Sequence, residues 1–223
     1  MTNTVTRLHQ RNCILRDADH RYVWDPDGLA EEMAISVTGV TSYGKPPVDY
    51  TKYPEAAPRG THVHRAMEAI ANGDSLPDHV SPEGIDCLDW YEQIGRMEFW
   101  EKSQTIACEH TMVHRRKSLG GQLDLICAFK DKVILVDLKT KSASWKAPSK
   151  EDIASYKAQA GGYLYLLSDG DDAHGGCFVD ECRTLICTPT QTKWLPAMDP
   201  DDCYEAWENC WEKYFASAAA KPF

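Results

Sequence analysis

The sequence predicts one mixed α/β or α+β domain, and three observations lead there. Short β-branched runs alternate with amphipathic helical stretches. Three of those runs crowd together in mid-chain, separated by short polar links. The 223 residues are 43% hydrophobic and 26% charged, enough to bury one sizeable core and too apolar for a disordered chain. The expected order is β-hairpin, α, α, β, β, β, α, β, β, α, all within a single domain spanning residues 1–223.

Residues 1–44 read as an N-terminal β-extension. Residues 21–24 form a strand, Asp25-Pro26-Asp27-Gly28 a turn, and 35–40 a β-branched run. Residues 44–60 contain Pro46, Pro47, Pro54 and Pro58 and read as an ordered loop that cannot be helical. A helix is expected over 61–72, with Thr61 as N-cap and Val63, Met67 and Ile70 as its apolar stripe. Ser81-Pro82-Glu83 opens a second helix running to about residue 102. Strands follow at 105–113, 122–129 and 133–139, an antiparallel meander whose last member is buried. After a polar loop over 141–150 comes a long helix, 151–167, stopped by Ser168-Asp169-Gly170. Strands at 177–179 and 184–188 and a terminal helix over 200–220 complete the chain. Trp207, Trp211 and Tyr214 share one face of that last helix, and docking on the chain's own core is the expectation.

Composition excludes several classes. No apolar stretch approaches a membrane-spanning length, and the first residues lack the apolar core of a secretory signal, so no membrane partner and a cytoplasmic setting are expected. The nine cysteines are odd in number and include no C-x2-C pair, which weakens a zinc-ribbon or cysteine-redox reading and favours free thiols. The net charge of −10 conceals an asymmetry: residues 110–160 carry +5 and the remainder −15. An acidic body around a locally basic centre is compatible with a polyanionic substrate.

Three clusters carry the chemistry. The first is Gly121-Gln122-Leu123-Asp124 followed, after 12 residues, by Asp137-Leu138-Lys139. Asp137 and Lys139 are two apart on a strand and point to one face. Such groups are costly to bury unless paired or bound to something. An ordinary ion pair at a strand end would suffice. Alternatively, carboxylates from neighbouring strands offer hard oxygen ligands to Mg²⁺ or Mn²⁺, with the lysine free to orient water and offset phosphate charge. The second is Gly60-Thr61-His62-Val63-His64-Arg65-Ala66-Met67-Glu68, in which His64 and Glu68 lie i, i+4. It reads either as a capped amphipathic helix or, if the face meets the carboxylates, as a ligand with Glu68 beside it; His62 points elsewhere, to the surface. The third is Gln159 and Tyr163, again i, i+4, separated by Gly161-Gly162. Glycine costs about 1 kcal/mol per residue inside a helix, so a close approach of backbone or substrate is expected there.

These elements, in the order GTxxHxxxE, GxxD, DxK and QxxxY, resemble the RecB-like branch of the PD-(D/E)XK nuclease superfamily. Relatives include recombination-helicase nuclease domains, CRISPR-associated adaptation nucleases, the mitochondrial genome maintenance exonuclease and phage exonucleases. Residues 35–40, Ile-Ser-Val-Thr-Gly-Val, resemble the SVTxxL segment of the mitochondrial and phage members, so the likeness covers about residues 35–167. It implies a restriction-endonuclease-like core, a central mixed sheet flanked by helices, with the catalytic part at 60–167 and C-terminal strands and helix at 177–223.

The resemblance implies a Mg²⁺- or Mn²⁺-dependent DNA exonuclease using one or two ions, of a phage or bacterial recombination, replication or DNA-degradation system. A phage-encoded chain would act in the host cytoplasm. Asp124, Asp137 and Lys139 would be catalytic. His64, Asp124, Asp137 and the Leu138 carbonyl would hold metal, with Glu68 and Glu109 as further candidates. Gln159 and Tyr163 would hold the DNA strand. Arg115, Arg116, Lys117, Lys141, Lys146 and Lys150 are candidates for backbone contacts, and Trp145 for stacking; solvated loop charge and core packing are the alternatives. Some relatives carry an iron–sulfur cluster. Cys13 matches the upstream ligand but the later spacings do not, so no cluster is expected. A helicase or single-strand annealing protein would have to be another chain. A structure-specific or adaptation-type endonuclease, and a catalytically silent nucleic-acid-binding domain, are the competing functions.

Overall fold

The computed structural model describes residues 6–10, 12–16, 20–46, 51–171 and 178–219, with side chains to residue 217. Three strands, β1 (Cys13–Arg16), β2 (Arg21–Trp24) and β3 (Glu31–Glu32), form an antiparallel N-terminal sheet. There follow β4 (Ile35–Ser36), α1 (Val37–Thr41), α2 (Ala56–Asn72), α3 (Leu88–Gly95) and α4 (Phe99–Lys102). The meander is β5 (Ser103–His114), β6 (Leu119–Phe129) and β7 (Lys132–Thr140). The chain ends with α5 (Lys150–Asp169), β8 (Glu181–Cys187), β9 (Thr192–Trp194) and α6 (Pro200–Ala219). The fold is a mixed α+β domain with a central mixed sheet between helical layers and an N-terminal antiparallel sheet, as the sequence predicts.

The central sheet has six strands in the order β4-β6-β7-β8-β9, with β5 along the free edge of β6. β6 pairs antiparallel with β5 and β7, β7 pairs parallel with β8, and β4 pairs parallel with β6. One face packs against α1, α5 and α6 through Leu123, Leu135, Leu166 and Trp207. The other packs against α2 and α3 through Val63, Met67, Ile94, Leu125 and Leu138. Burial of these side chains, about 1.5–3 kcal/mol each, holds the layers together.

One edge of β6 is shared. β4 occupies it at Leu119 and Gly120, and β7 only from Leu125 onward. Positions 121–124 therefore face a fork between the two neighbours. Leu123 belongs to the α5 core and Leu125 to the α2 core, so the strand rolls over at Asp124. Opposite it, Glu109 has φ 45°, left-handed backbone that costs about 1–3 kcal/mol.

Several local expectations are corrected. The run at 35–40 is strand only to Ser36, whose hydroxyl caps α1 by accepting from the Gly39 N–H; capping outweighs β-branching there. α2 begins at Ala56, not Thr61, because Pro58 falls in the first turn, where no intrahelical N–H is needed; Thr61 is inside the helix. Ser81-Pro82-Glu83 is a turn closed by Gly84 (φ 81°) and a Val80–Asp86 bridge, and helix resumes only at Leu88, broken again after Gly95. β1 was not foreseen. His62 is buried, 5% exposed, with Nε2 2.5 Å from the Asp78 carbonyl and its ring stacked on Tyr91. Phe178 and Val179 are not strand, and Cys177 lies outside the described residues. The other eight cysteines are free thiols.

The Gly161-Gly162 pair has a packing cause. A Cβ on Gly161 would overlap the Cys203 carbonyl, and one on Gly162 would lie 2.8 Å from the Trp207 ring. The glycines let α5 and α6 approach to backbone contact, and α6 docks on the chain's own core with Trp207 2% exposed.

Candidate functional site

The site is assembled at the fork from five elements. α2 supplies His64, β5 Glu109, β6 Asp124, β7 the Asp137–Lys139 run, and α5 Gln159 and Tyr163. Cys108 pairs with Leu125 and His110 with Leu123, so Glu109 and Asp124 face each other across the ladder. His64 Nδ1 lies 3.4 Å from both Glu109 Oε1 and Asp124 Oδ1. The other ring nitrogen, Nε2, is 3.2 Å from the Leu138 carbonyl oxygen. The Leu138 N–H donates to Asp124 Oδ2 at 2.6 Å, tying the carboxylate to β7 just where the strands part.

The second half of the site lies on the α5 face. Lys139 Nζ donates to Asp137 Oδ1 and to Gln159 Oε1, each at 2.9 Å. Gln159 Nε2 in turn donates to the Tyr163 hydroxyl at 2.8 Å. The strand period puts Asp137 and Lys139 on one face, and the i, i+4 spacing puts Gln159 and Tyr163 on the facing stripe of α5. Gly121, the first residue of GxxD, makes room for this helix: a Cβ there would lie 2.8 Å from Leu166 Cδ1 and 3.3 Å from Tyr163 Cε1.

The electrostatics are those of an undercompensated acidic cluster. Burial disfavours the His64 imidazolium, but Asp124 and Glu109 outweigh it and hold its pKa well above the ordinary value. Burial likewise works against the Asp124 carboxylate, and His64, with help from Lys139, still keeps its pKa low. Glu109 is pushed up, chiefly by burial. Asp137 is pushed up to about 6: burial outweighs the Lys139 charge, and Asp124 adds repulsion. Among the described residues Asp137 Oδ2 is a buried oxygen with no hydrogen-bond partner, and Glu109 Oε1, also buried, has the His64 ring nitrogen at 3.4 Å.

Of the residues singled out in the sequence, His64, Glu109 and Asp124 converge with ligand atoms mutually within 4.8 Å. Asp137 is an electrostatic neighbour of this trio but turns one oxygen to Lys139. Glu68 lies outside the trio, half-buried, with its pKa raised by burial and by Asp74. The basic candidates divide. Lys141 is close to the site: half-buried, its Nζ is 5.9 Å from the centroid of the Tyr156 ring and its carbonyl accepts from Trp90 Nε1. Lys146 and Lys150 are exposed in and after the loop, while Trp145 packs beside Tyr156 and Ile186. Arg115, Arg116 and Lys117 sit in the turn that joins β5 to β6, beyond Leu119, which is itself five strand positions or roughly 17 Å from Asp124. There Arg115 pairs with Glu31, and Lys117 lies over Tyr165 and Trp211.

Two buried or half-buried residues carried no sequence signal. Arg59 of α2 is 7% exposed and lies over Trp90, and its Nε has no hydrogen-bond partner among the described residues. Tyr22, from the N-terminal sheet, packs over Gly120 of β6. Its only cue is a glycine, Gly120, 98 residues later in the chain.

No family model matches the chain, and no curated protein matches it. Among solved structures, the crystal structure of SSO0001 is similar over 82% of this chain and 77% of that one, at 16% identity and a TM-score of 0.39. So distant a likeness informs neither fold family nor function.

Proposed function

We propose that the chain is a Mg²⁺- or Mn²⁺-dependent deoxyribonuclease of the RecB-like PD-(D/E)XK type that hydrolyses phosphodiester bonds from DNA ends. One observation carries this reading. Motif residues scattered from position 64 to position 163 form one contact chain, Glu109–His64–Asp124–Leu138 on one side of the fork and Asp137–Lys139–Gln159–Tyr163 on the other.

The donor set suits a hard divalent cation. Carboxylate oxygens, a main-chain carbonyl and one imidazole nitrogen are ligands that Mg²⁺ or Mn²⁺ accepts. The buried Asp137 oxygen that has no partner among the described residues, and the raised Asp137, are what such a site looks like when its charge is not offset. His64, Asp124, Glu109 and the Leu138 carbonyl would hold the ion, with Asp137 adjoining. Bound there, it would supply Lewis-acid polarisation of the phosphate and a hydrolytic nucleophile at neutral pH.

The chain's own groups then have defined tasks. Lys139, fixed between two acceptors, orients the attacking water and offers N–H donors to the phosphate as the P–O3′ bond breaks. Gln159 holds Lys139 and is itself held by Tyr163, so the α5 stripe sets the lysine's position and presents polar atoms to the DNA strand. Lys141 and the exposed Lys146 and Lys150 continue the positive edge past the end of β7 and would meet backbone phosphates.

Incubation with linear single- and double-stranded DNA in Mg²⁺, Mn²⁺ or EDTA tests this. Metal-dependent hydrolysis that Lys139→Ala abolishes is the expected result. Binding without hydrolysis under every condition would overturn it in favour of a silent nucleic-acid-binding domain.

A further inference from the structure

Glu109 stands where β5 breaks its own pattern. Side chains alternate along a strand, so Glu109 should share the face of Ala107, which belongs to the core under α5. Its carboxylate instead meets His64 of α2, in the opposite layer, at 3.4 Å. The left-handed backbone at Glu109, φ 45°, accounts for the departure. Such a conformation persists only where the surrounding structure holds it.

Two side-chain amides hold this stretch of β5. Gln122 of β6 donates Nε2 to the Glu109 main-chain carbonyl at 2.9 Å. The reach is diagonal, because the cross-strand partner of Gln122 is Thr111. On the outer edge of β5, Gln10 accepts from the Thr111 N–H and donates back to the Thr111 carbonyl, each at 2.9 Å. Gln10 therefore fixes the strand just beyond Glu109, and Gln122 fixes the peptide of Glu109 itself. Gln122 also lies two residues before Asp124 on β6. One short segment of β6 thus supplies one carboxylate of the His64 trio directly and secures the other through its backbone.

We infer that Gln122 is a positioning residue of the metal centre: it locks Glu109 in its left-handed turn and so keeps that carboxylate on His64 as a ligand for the cation. The inference rests on the metal-binding half of the reading above and adds the residue that builds one ligand's geometry.

Gln122→Met keeps the length of the side chain and removes the donor. Calorimetric titration of Mn²⁺ without DNA, into wild type, Gln122→Met, Glu109→Gln and the double variant, tests it, with a thermal melt of each in EDTA. Loss of a group that orients a ligand predicts Mn²⁺ affinity lower by about ten-fold or more, with the melting midpoint within about 2 °C of wild type. In the Glu109→Gln background, where no carboxylate is left to place, the same substitution should cost less than about two-fold. Affinity within about two-fold of wild type in Gln122→Met overturns the inference. A loss of undiminished size in the Glu109→Gln background also overturns it, since Gln122 would then act on the rest of the site. If Gln122→Met does not melt cooperatively, Gln122→Thr, a strand former too short to reach the carbonyl, takes its place. Loss of the fold in both overturns the inference, since Gln122 would then hold the sheet rather than the site. Hydrolysis of linear DNA is read in parallel. An inert wild type whose Mn²⁺ affinity still depends on Gln122 through Glu109 supports the inference and contradicts the nuclease reading alone. An active wild type whose affinity does not depend on Gln122 overturns the inference alone, and a wild type that binds no Mn²⁺ overturns both.

Discussion

Replacing Asp137 by Asn removes a buried charge while preserving the shape of the side chain. In the metal-free protein Asp137 is 2% exposed, one oxygen is bonded to Lys139 and the other has no partner among the described residues. Its pKa rises from 3.8 to about 6 because burial outweighs the lysine. At about 1.4 kcal/mol per unit, ionising this group in the folded state costs up to about 3 kcal/mol. The weaker bond from Lys139 to a neutral acceptor offsets part of that, so Asp137→Asn should stabilise the metal-free protein by about 2 kcal/mol above pH 6. For a chain of this size that is a rise of about 4–8 °C in melting midpoint. The sign of the pH dependence follows. A raised folded-state pKa means wild type keeps this stability below pH 4 and loses it as pH climbs through 6. The gap between variant and wild type should therefore open between pH 4 and 6 and stay constant above. Calorimetry in EDTA across this range measures it, and Mn²⁺ should then stabilise wild type more than the variant. A variant less stable than wild type at pH 8, or a gap of equal size at pH 4 and 8, would refute the reasoning.

Other outcomes follow from the same geometry. Asp124→Asn and Lys139→Ala should each lower hydrolysis by at least about 10²-fold without changing the circular dichroism spectrum, because neither carries the core. Metal binding must displace the proton that Asp124 and Glu109 hold on His64, so apparent Mn²⁺ affinity by calorimetric titration should rise with pH through neutrality, and His64→Ala should flatten that dependence. Gly161→Ala should destabilise by about 3 kcal/mol or more, because a methyl there meets the Cys203 carbonyl; an unchanged melting midpoint would show that α5 and α6 can separate at little cost.

What was legible in the sequence was local or periodic. The β5–β6–β7 meander stood out because its strands are long, apolar and joined by short polar links. The faces of Asp137 with Lys139 and of Gln159 with Tyr163 follow from strand and helix periods alone. Errors arose where a short-range signal competed with a cap or a turn. Ser36 turned a β-branched run into helix, Pro58 was compatible with a first turn, and Gly84 closed a turn where Pro82 fits a helix start. The site was legible as a set of residue types but not as a geometry. Whether Glu109 faced solvent or His64 depended on a left-handed residue opposite Asp124, and no pattern along β5 announces it. Tyr22 and Arg59 were silent because their significance lies in partners far along the chain. Gly161-Gly162 was readable as a close approach, but its partner, the Cys203 carbonyl on α6, emerges only from packing.

The central claim, a metal-dependent nuclease acting at DNA ends, is tested most directly by mixing end-labelled linear duplex with covalently closed circular DNA in one tube with Mg²⁺ or Mn²⁺. The account predicts progressive release of short products from the linear molecule, circles left intact, and no reaction in EDTA or with Lys139→Ala. Equal cutting of circles would contradict action at ends, and an inert wild-type protein would contradict the nuclease itself.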